Sequence, residues 1–423
     1  MFQVLSSSWA LLLGMMLLMV GNGLQGTLLG VRGGIEGFST LEMSIVMSAY
    51  FAGFLGGTRI TPELIRRVGH VRVFAALASF ISAVLILYPL LAHPVAWMLG
   101  RVVIGFCFSG VYVTAESWLN NAADNQNRGK ALSLYMIVQM AGIVSAQGIL
   151  ALGDANGYML FVIASVAVSI SFAPILLSIS PTPPFDTAKP MTLRELVNIS
   201  PLGCMGMFLL GGVFAAQFGM SAVYGTEAGL SIGQISLFVS TIYIGALLMQ
   251  YPIGWMSDRM DRRMLILMVA ALGGAAAIVG YIANGSFTMV LVSGFLIGGT
   301  SNPLYALFIA YTNDFLEHDD MAAASGGLVF INGCGAIAGP LITGWAMGAF
   351  GPEGYFAFIA ILLVAMAAYA GWRMTRRAST TAVEDTTAYA PVFATATPVA
   401  VEVAQELYIE TELEEADDLS PTS

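Results

Sequence analysis

Charged side chains make up 10% of this 423-residue chain, so an ionisable group inside an apolar run is where chemistry is first sought. Arg101 is one, in the run Leu99-Gly100-Arg101-Val102-Val103-Ile104-Gly105. An arginine within hydrocarbon costs about 2.5–3.5 kcal/mol on insertion scales and by default marks a functional site. The alternative is that it snorkels to the interface, about six residues away along its span. Nearer the N-terminus, Asn22, Gln25, Arg32 and Glu36 recur at separations of 3, 7 and 4, which places them on one helical stripe. Gly21, Gly23, Gly26 and Gly30 interleave with them, as close helix packing or a tight cavity requires. Asn22 and Gln25 suit an uncharged, hydrogen-bonding part of a solute, and equally suit interhelical glue. Arg32 and Glu36 lie so far out that they read as an outer gate pair.

Other chemistry is sparse. No G-x-x-x-x-G-K-S/T loop is present. His70, His93 and His318 fall in predicted loops without metal-ligand spacing, and His70 reads as a loop cation. Cys107, Cys204 and Cys334 lie in apolar runs and read as core filling. No carboxylate pair falls deep in a span, and no catalytic cluster supports an enzyme, a cofactor site or a metal site.

The elements that must position these groups are membrane spans. The chain is 57% apolar with a mean hydropathy of +0.80, whereas soluble domains are about a quarter charged. That excludes soluble multidomain enzymes. With 16 Lys and Arg, nucleic-acid binding is excluded as well. A span needs about 20 apolar residues, and twelve windows qualify: about 8–31, 41–60, 71–92, 95–117, 130–152, 157–178, 201–225, 233–256, 264–284, 287–313, 322–349 and 354–374. With the N-terminus inside, 14 of the 16 basic residues fall in cytoplasmic segments, Arg32 and Arg101 excepted. The positive-inside rule then places both termini in the cytoplasm.

The segment 179–200 is the one long polar, Pro-rich interruption and divides the spans six and six. An offset of 192 residues aligns Gln25 with Gln217, Ser39, Ser44 and Ser48 with Ser231, Ser236 and Ser240, Gly53 with Gly245, and Arg67 with Arg259. These matches predict two related bundles, 1–178 and 201–377, joined by a cytoplasmic linker. Parallel six-span repeats are a transporter architecture with the solute site near mid-membrane between the halves. The net charge of −10 belongs to a tail: residues 378–423 hold ten acids and no Lys or Arg. The tail is expected to be cytoplasmic and mostly disordered.

The loop Gly254-Trp255-Met256-Ser257-Asp258-Arg259-Met260-Asp261-Arg262-Arg263 closely resembles the G-x-x-x-D-R-x-G-R-R signature of the major facilitator superfamily, with Asp261 at the second Gly. Leu99 to Gly105 resembles that superfamily's R-x-x-x-G motif. The first-half loop Pro62 to Arg72 departs from the signature, with Pro62 at the Gly position and Arg66 at the Asp position, leaving Glu63 as a substitute acid. Glu116-Ser117-Trp118-Leu119, and Leu304-Tyr305-Ala306-Leu307 through Asn313-Asp314, resemble the YcaD-like uncharacterised branch.

The resemblance implies an all-α membrane protein of twelve helices in two pseudo-symmetric six-helix bundles. It further implies a monomeric secondary active transporter of the inner membrane, a symporter or antiporter working by alternating access with a proton or other coupling solute. Asp258, Arg259, Arg262 and Arg263 would latch the cytoplasmic side. Glu116 would pair with Arg67 or Arg128 as a gate. Arg101 would serve proton coupling or solute contact, and Tyr305, beside the helix-breaking Asn302-Pro303, would face the cavity with Asn22, Gln25 and Gln217. The second reading is a transport-fold sensor or scaffold acting through its acidic tail.

Overall fold

The computed structural model describes the chain apart from residues 1, 123–124, 178–190, 283–284, 317, 377–388, 390–391, 393–396, 399–400 and 402–423, and apart from the side chains of 2–8, 120–122, 125–130, 318–319 and 322. The described residues are almost entirely helical. In the first half run α1 (Phe2–Ile35), α2 (Thr40–Val68), α3 (His70–Leu90), α4 (Pro94–Ala122), α5 (Asn125–Leu152), α6 (Met159–Ser171) and the short α7 (Ala173–Leu177). After α8 (Leu193–Ile199) come α9 (Pro201–Ala215), a π-helical turn over Ala216–Met220, and α10 (Ser221–Glu227), which together make one membrane-length rod. Then follow α11 (Ile232–Ser257), α12 (Arg262–Ile282), α13 (Phe287–Asn313), α14 (His318–Phe350) and α15 (Gly354–Arg376).

Among the described residues eleven helical segments are long and apolar enough to cross a bilayer. The expected second span, α2, falls outside that set. Ser44, Ser48, Gly53, Gly56 and Gly57 dilute its apolarity, and several of them serve helix contacts instead of lipid. Pro303 was expected to break its helix, but α13 passes through it from Phe287 to Asn313 without interruption.

The repeat is visible in the helix boundaries. Helices start at 40 and 232, 70 and 262, 94 and 287, and 125 and 318, an offset of 192 or 193 throughout. The local chemistry repeats too. Ser39 and Glu42 form a capping box at the start of α2, and Ser231 and Gln234 form its counterpart on α11. The turns before them each contain a glycine at positive φ, Gly37 at 75° and Gly229 at 70°, a conformation that side-chain-bearing residues rarely adopt.

Packing repeats in the same way. An added Cβ at Gly53 would lie 2.0 Å from the Val102 carbonyl oxygen, and one at Gly105 1.9 Å from that of Tyr50, so α2 and α4 touch backbone to backbone. Gly245 against Phe295 and Gly298 against Ile242 make the same seam between α11 and α13. The Gly335 and Gly339 stripe on α14 seats against Phe208 and Gly212 of α9. With no hydrophobic force between helices in lipid, such close backbone approach is what holds them together.

Candidate functional site

Between the halves lies a cavity of about 110 Å³. Asn22, Gln25, Arg101, Gln217 and Tyr305 all line it. On the α1 wall Gly21 and Gly23 pack tightly against α6 and α5, whereas Gly26 has nothing within 4 Å of where its Cβ would be and leaves the wall open.

The first half contributes a chain of polar side chains ending on a charge. The Arg101 side chain is only 3% exposed, so it turns into the protein and does not snorkel. Its Nη1 donates to Gln25 Oε1 at 2.9 Å, Gln25 Nε2 donates to Asn22 Oδ1 at 3.2 Å, and Asn22 Nδ2 donates to the Tyr112 hydroxyl at 3.0 Å. Arg101 Nη2 rests on the Met47 sulfur at 3.3 Å, and the guanidinium lies 4.7 Å from the Tyr50 ring centroid. The Arg101 Nε has no hydrogen-bond partner.

The second half contributes a neutral wall. Gln217 sits inside the π-helical turn, a feature frequent at functional sites because the extra residue re-aims its neighbours. Its Nε2 and Ser301 Oγ lie 2.9 Å apart, and Ser301 can donate back to Gln217 Oε1 at 3.2 Å. Ser221 bonds the Gln217 carbonyl and lies 2.8 Å from the Tyr355 hydroxyl. Gln25 and Gln217 thus share one cavity, each held by its own half.

At the end of the bundle away from the basic loops the halves are closed. Thr40 Oγ1 donates to Glu227 Oε1 at 3.0 Å and Ser48 Oγ to the Ile337 carbonyl at 2.5 Å. An added Cβ at Gly30 would come within 2.6 Å of Ala222. Arg32 and Glu36 do pair, through Nε at 2.6 Å. Arg32 also donates to the carbonyls of Ala155, Asn156 and Gly157. These contacts all stay within the first half, so the pair clasps the loop before α6, and the contacts that cross between halves here are the small-residue ones.

At the basic end several expected pairings differ. Arg67 binds Glu63 at 2.8 Å, as Arg66 does, so Glu63 makes local pairs along α2 and Arg67 does not reach Glu116. Arg67 is long and 71% exposed, where water outcompetes a distant partner. Arg259 stacks on Trp255, 4.4 Å from its ring centroid, and bonds its carbonyl, pairing with no acid among the described residues. Asp258 accepts the Tyr389 backbone N–H at 3.1 Å. Burial pushes its carboxyl above the ordinary aspartate range, against the lowering effects of that bond and of Arg262 and Arg259.

Arg262, which the resemblance placed in the latch, is buried and pairs with Asp314, while its Nε donates to Ser257 Oγ at 3.2 Å. Asp261, at the signature's Gly position, caps α12 by accepting the Arg263 N–H at 2.8 Å. It also pairs with the Arg263 side chain, whose hydrogen bond holds the carboxyl below the usual range. The Arg128 side chain lies outside the described residues. His70 is no loop cation: it opens α3, is 1% exposed and lies 3.0 Å from Ser117 Oγ.

Glu116 is 3% exposed, set among protein groups and not beside water. It accepts from the Tyr135 hydroxyl at 3.4 Å and from the Thr397 N–H at 3.2 Å. Thr397, with Tyr389, Val392 and Val401, belongs to the tail, and all four are buried. The expected disorder of the remaining tail falls on residues outside those described. Sequence reasoning missed Tyr50, Tyr112, Tyr243 and Ser301, whose types and spacing are those of any packed helix face. Gln147, visible as a polar residue in an apolar run, signalled itself without a partner to suggest its role.

The family model described as Major Facilitator Superfamily matches residues 11–230 and, a second time, 202–402. The chain belongs to the major facilitator superfamily. It is a multi-pass membrane transporter with a small-molecule substrate, and not an enzyme. It is 25% identical over 341 residues to the "uncharacterized MFS-type transporter YcaD" of Escherichia fergusonii, covering 80% of this chain and 88% of that one. The protein of the same description from Escherichia coli O45:K1 is 27% identical over 355 residues, covering 83% and 91%.

Among solved structures the fold is similar to the nucleoside transporter NupG, with a TM-score of 0.70, 14% identity and coverage of 88% and 99%. It is also similar to a bacterial homologue of the human lysosomal transporter Spinster in an inward-facing, unoccupied conformation, at 0.66, 15% identity, and 99% of both chains. The expected twelve-helix superfamily fold is therefore the observed one.

Proposed function

We propose that this facilitator is a secondary active transporter of the inner membrane, with both termini cytoplasmic, that carries one small solute by alternating access. The observation that carries the reading is the cavity between the halves, lined by Arg101, Gln25 and Gln217 and sealed at one end by Thr40–Glu227, Ser48–Ile337 and Gly30–Ala222. Parting those contacts while the basic end closes would turn the cavity to the other side, as rigid-body rocking of repeats requires. A proton or solute gradient supplies the energy. Glu116 is the group we assign to proton coupling, since Asp314 is committed to a permanently charged partner in Arg262.

The test is a cysteine pair replacing Thr40 and Glu227 in a chain without Cys107, Cys204 and Cys334. Cross-linking should abolish gradient-driven flux in proteoliposomes, and reduction should restore it. Undiminished flux in the cross-linked protein would rule out rocking about that end. For Glu116→Gln, flux should lose its dependence on the proton gradient while solute exchange persists.

The contact of Thr397 with Glu116, and of Tyr389 with Asp258, supports a second reading in which the tail acts on the basic end, as a sensor's output would. Deleting residues 378–423 separates the two: a transporter keeps its solute exchange, whereas a tail-operated sensor loses its signal.

A further inference from the structure

Of the described arginines turned largely away from solvent, Arg32 meets Glu36, Arg262 meets Asp314 and Arg263 meets Asp261. Arg101 meets no carboxylate among the described residues. Its partners are an amide oxygen, a thioether sulfur and a ring face, and its Nε has none. Among the described residues lining the cavity it is the only charged one. A guanidinium does not shed its proton in a protein, so the charge stays. A buried charge without a counter-ion is strongly unfavourable. Gln25 orients the group without neutralising it.

We propose that the missing counter-ion is the substrate, a small organic monoanion whose carboxylate pairs with Arg101. The rest of the cavity fixes its other parts. Phe51, Phe54, Phe218 and Tyr243 supply an aromatic enclosure for an apolar ring or chain. The unfilled space at Gly26 opens on the same cavity that Gln25 and Arg101 line. Gln147, 2% exposed, donates to the Gly23 carbonyl and keeps an unpartnered Oε1, a place for a hydroxyl or N–H of the solute. Gln217 and Ser301 add neutral hydrogen bonding from the facing half. Organic cations are refused, because nothing on these walls offsets a second positive charge.

The proposal rests on the reading of this cavity as the carrier's solute site, and binding tests it without flux. Full-length protein in detergent would be titrated with benzoate, phenylacetate and 4-hydroxybenzoate, and with benzamide, phenylacetamide and benzylamine, following the melting temperature. The acids should stabilise the protein, and the matched amides and the amine should bind at least about tenfold more weakly, as loss of a charge-assisted hydrogen bond implies.

Arg101→Gln should remove the preference for acids. Gln25→Glu places a carboxylate where an amide oxygen now accepts at 2.9 Å. It should raise the melting temperature of the empty protein and abolish acid binding, which no merely structural arginine would do. Stabilisation by none of the acids, equal stabilisation by the amides, or acid binding that survives Gln25→Glu would each overturn the proposal. Flux of a neutral solute that ignores Arg101 would overturn it while leaving the carrier reading intact. Acid binding with no gradient-driven flux would do the reverse.

Discussion

At Arg101 the first half brings a guanidinium to the cavity wall, where the second half, 192 residues on, has Ser293 and Gly294, neither of them charged. At the basic end the asymmetry inverts. His70 opens α3 and shares a hydrogen bond with Ser117, whereas its counterpart Arg262 opens α12 and is buried in an ion pair with Asp314. The two halves have the same helix boundaries, capping boxes and glycine seams, yet charge is distributed over them in opposite senses. Backbone geometry that repeats can therefore carry side chains that do not. In the first half Arg101 stands on the cavity wall, and in the second Arg262 is held in an ion pair between helices.

The largest expected effect falls on that last pair. Arg262→Ala leaves Asp314 charged and enclosed and should destabilise the protein by about 3–5 kcal/mol. His70→Ala, which removes the hydrogen bond to Ser117 and part of a packed ring, should cost about 2 kcal/mol. Thermal unfolding of the two variants side by side measures the difference, and equal losses would erase the contrast between the halves.

In the cavity, Gln25→Ala strips Arg101 of its one side-chain oxygen partner and should weaken solute binding by about 1.5–3 kcal/mol. Gln217→Ala leaves Ser301 with the Gly298 carbonyl within reach at 3.4 Å, and should cost about 1 kcal/mol. Isothermal titration with whichever probe binds resolves the two, and a larger effect at Gln217 would move the solute's anchor to the second half.

Where the halves are equivalent, the effects should match. Ser39→Ala and Ser231→Ala each remove one half of a capping box and should each cost about 1 kcal/mol of stability. The smallest changes are expected at the exposed arginines. Arg67→Ala breaks a local pair with Glu63 and should shift stability by less than about 0.5 kcal/mol. Arg259→Ala loses a stack on Trp255 of about 0.5–1 kcal/mol. A loss of flux in either would return that residue to a latch between the halves.

The sequence by itself determined the class of fold, because hydrocarbon admits only long apolar helices and their number and spacing can be counted. It determined the repeat as well, since Ser39 and Ser231, or Gly53 and Gly245, are required by local geometry that recurs with the backbone. It also singled out Arg101, Gln25 and Gln217, because a polar side chain in an apolar run is conspicuous without coordinates. Partners were another matter. That Arg67 turns to Glu63, that Arg259 lies on Trp255 while Arg262 finds Asp314, and that Glu116 meets a threonine of the tail all depend on distances between segments far apart in the chain. Long, flexible ionic side chains choose among several such neighbours by burial and reach, and only the packed tertiary structure sets either one.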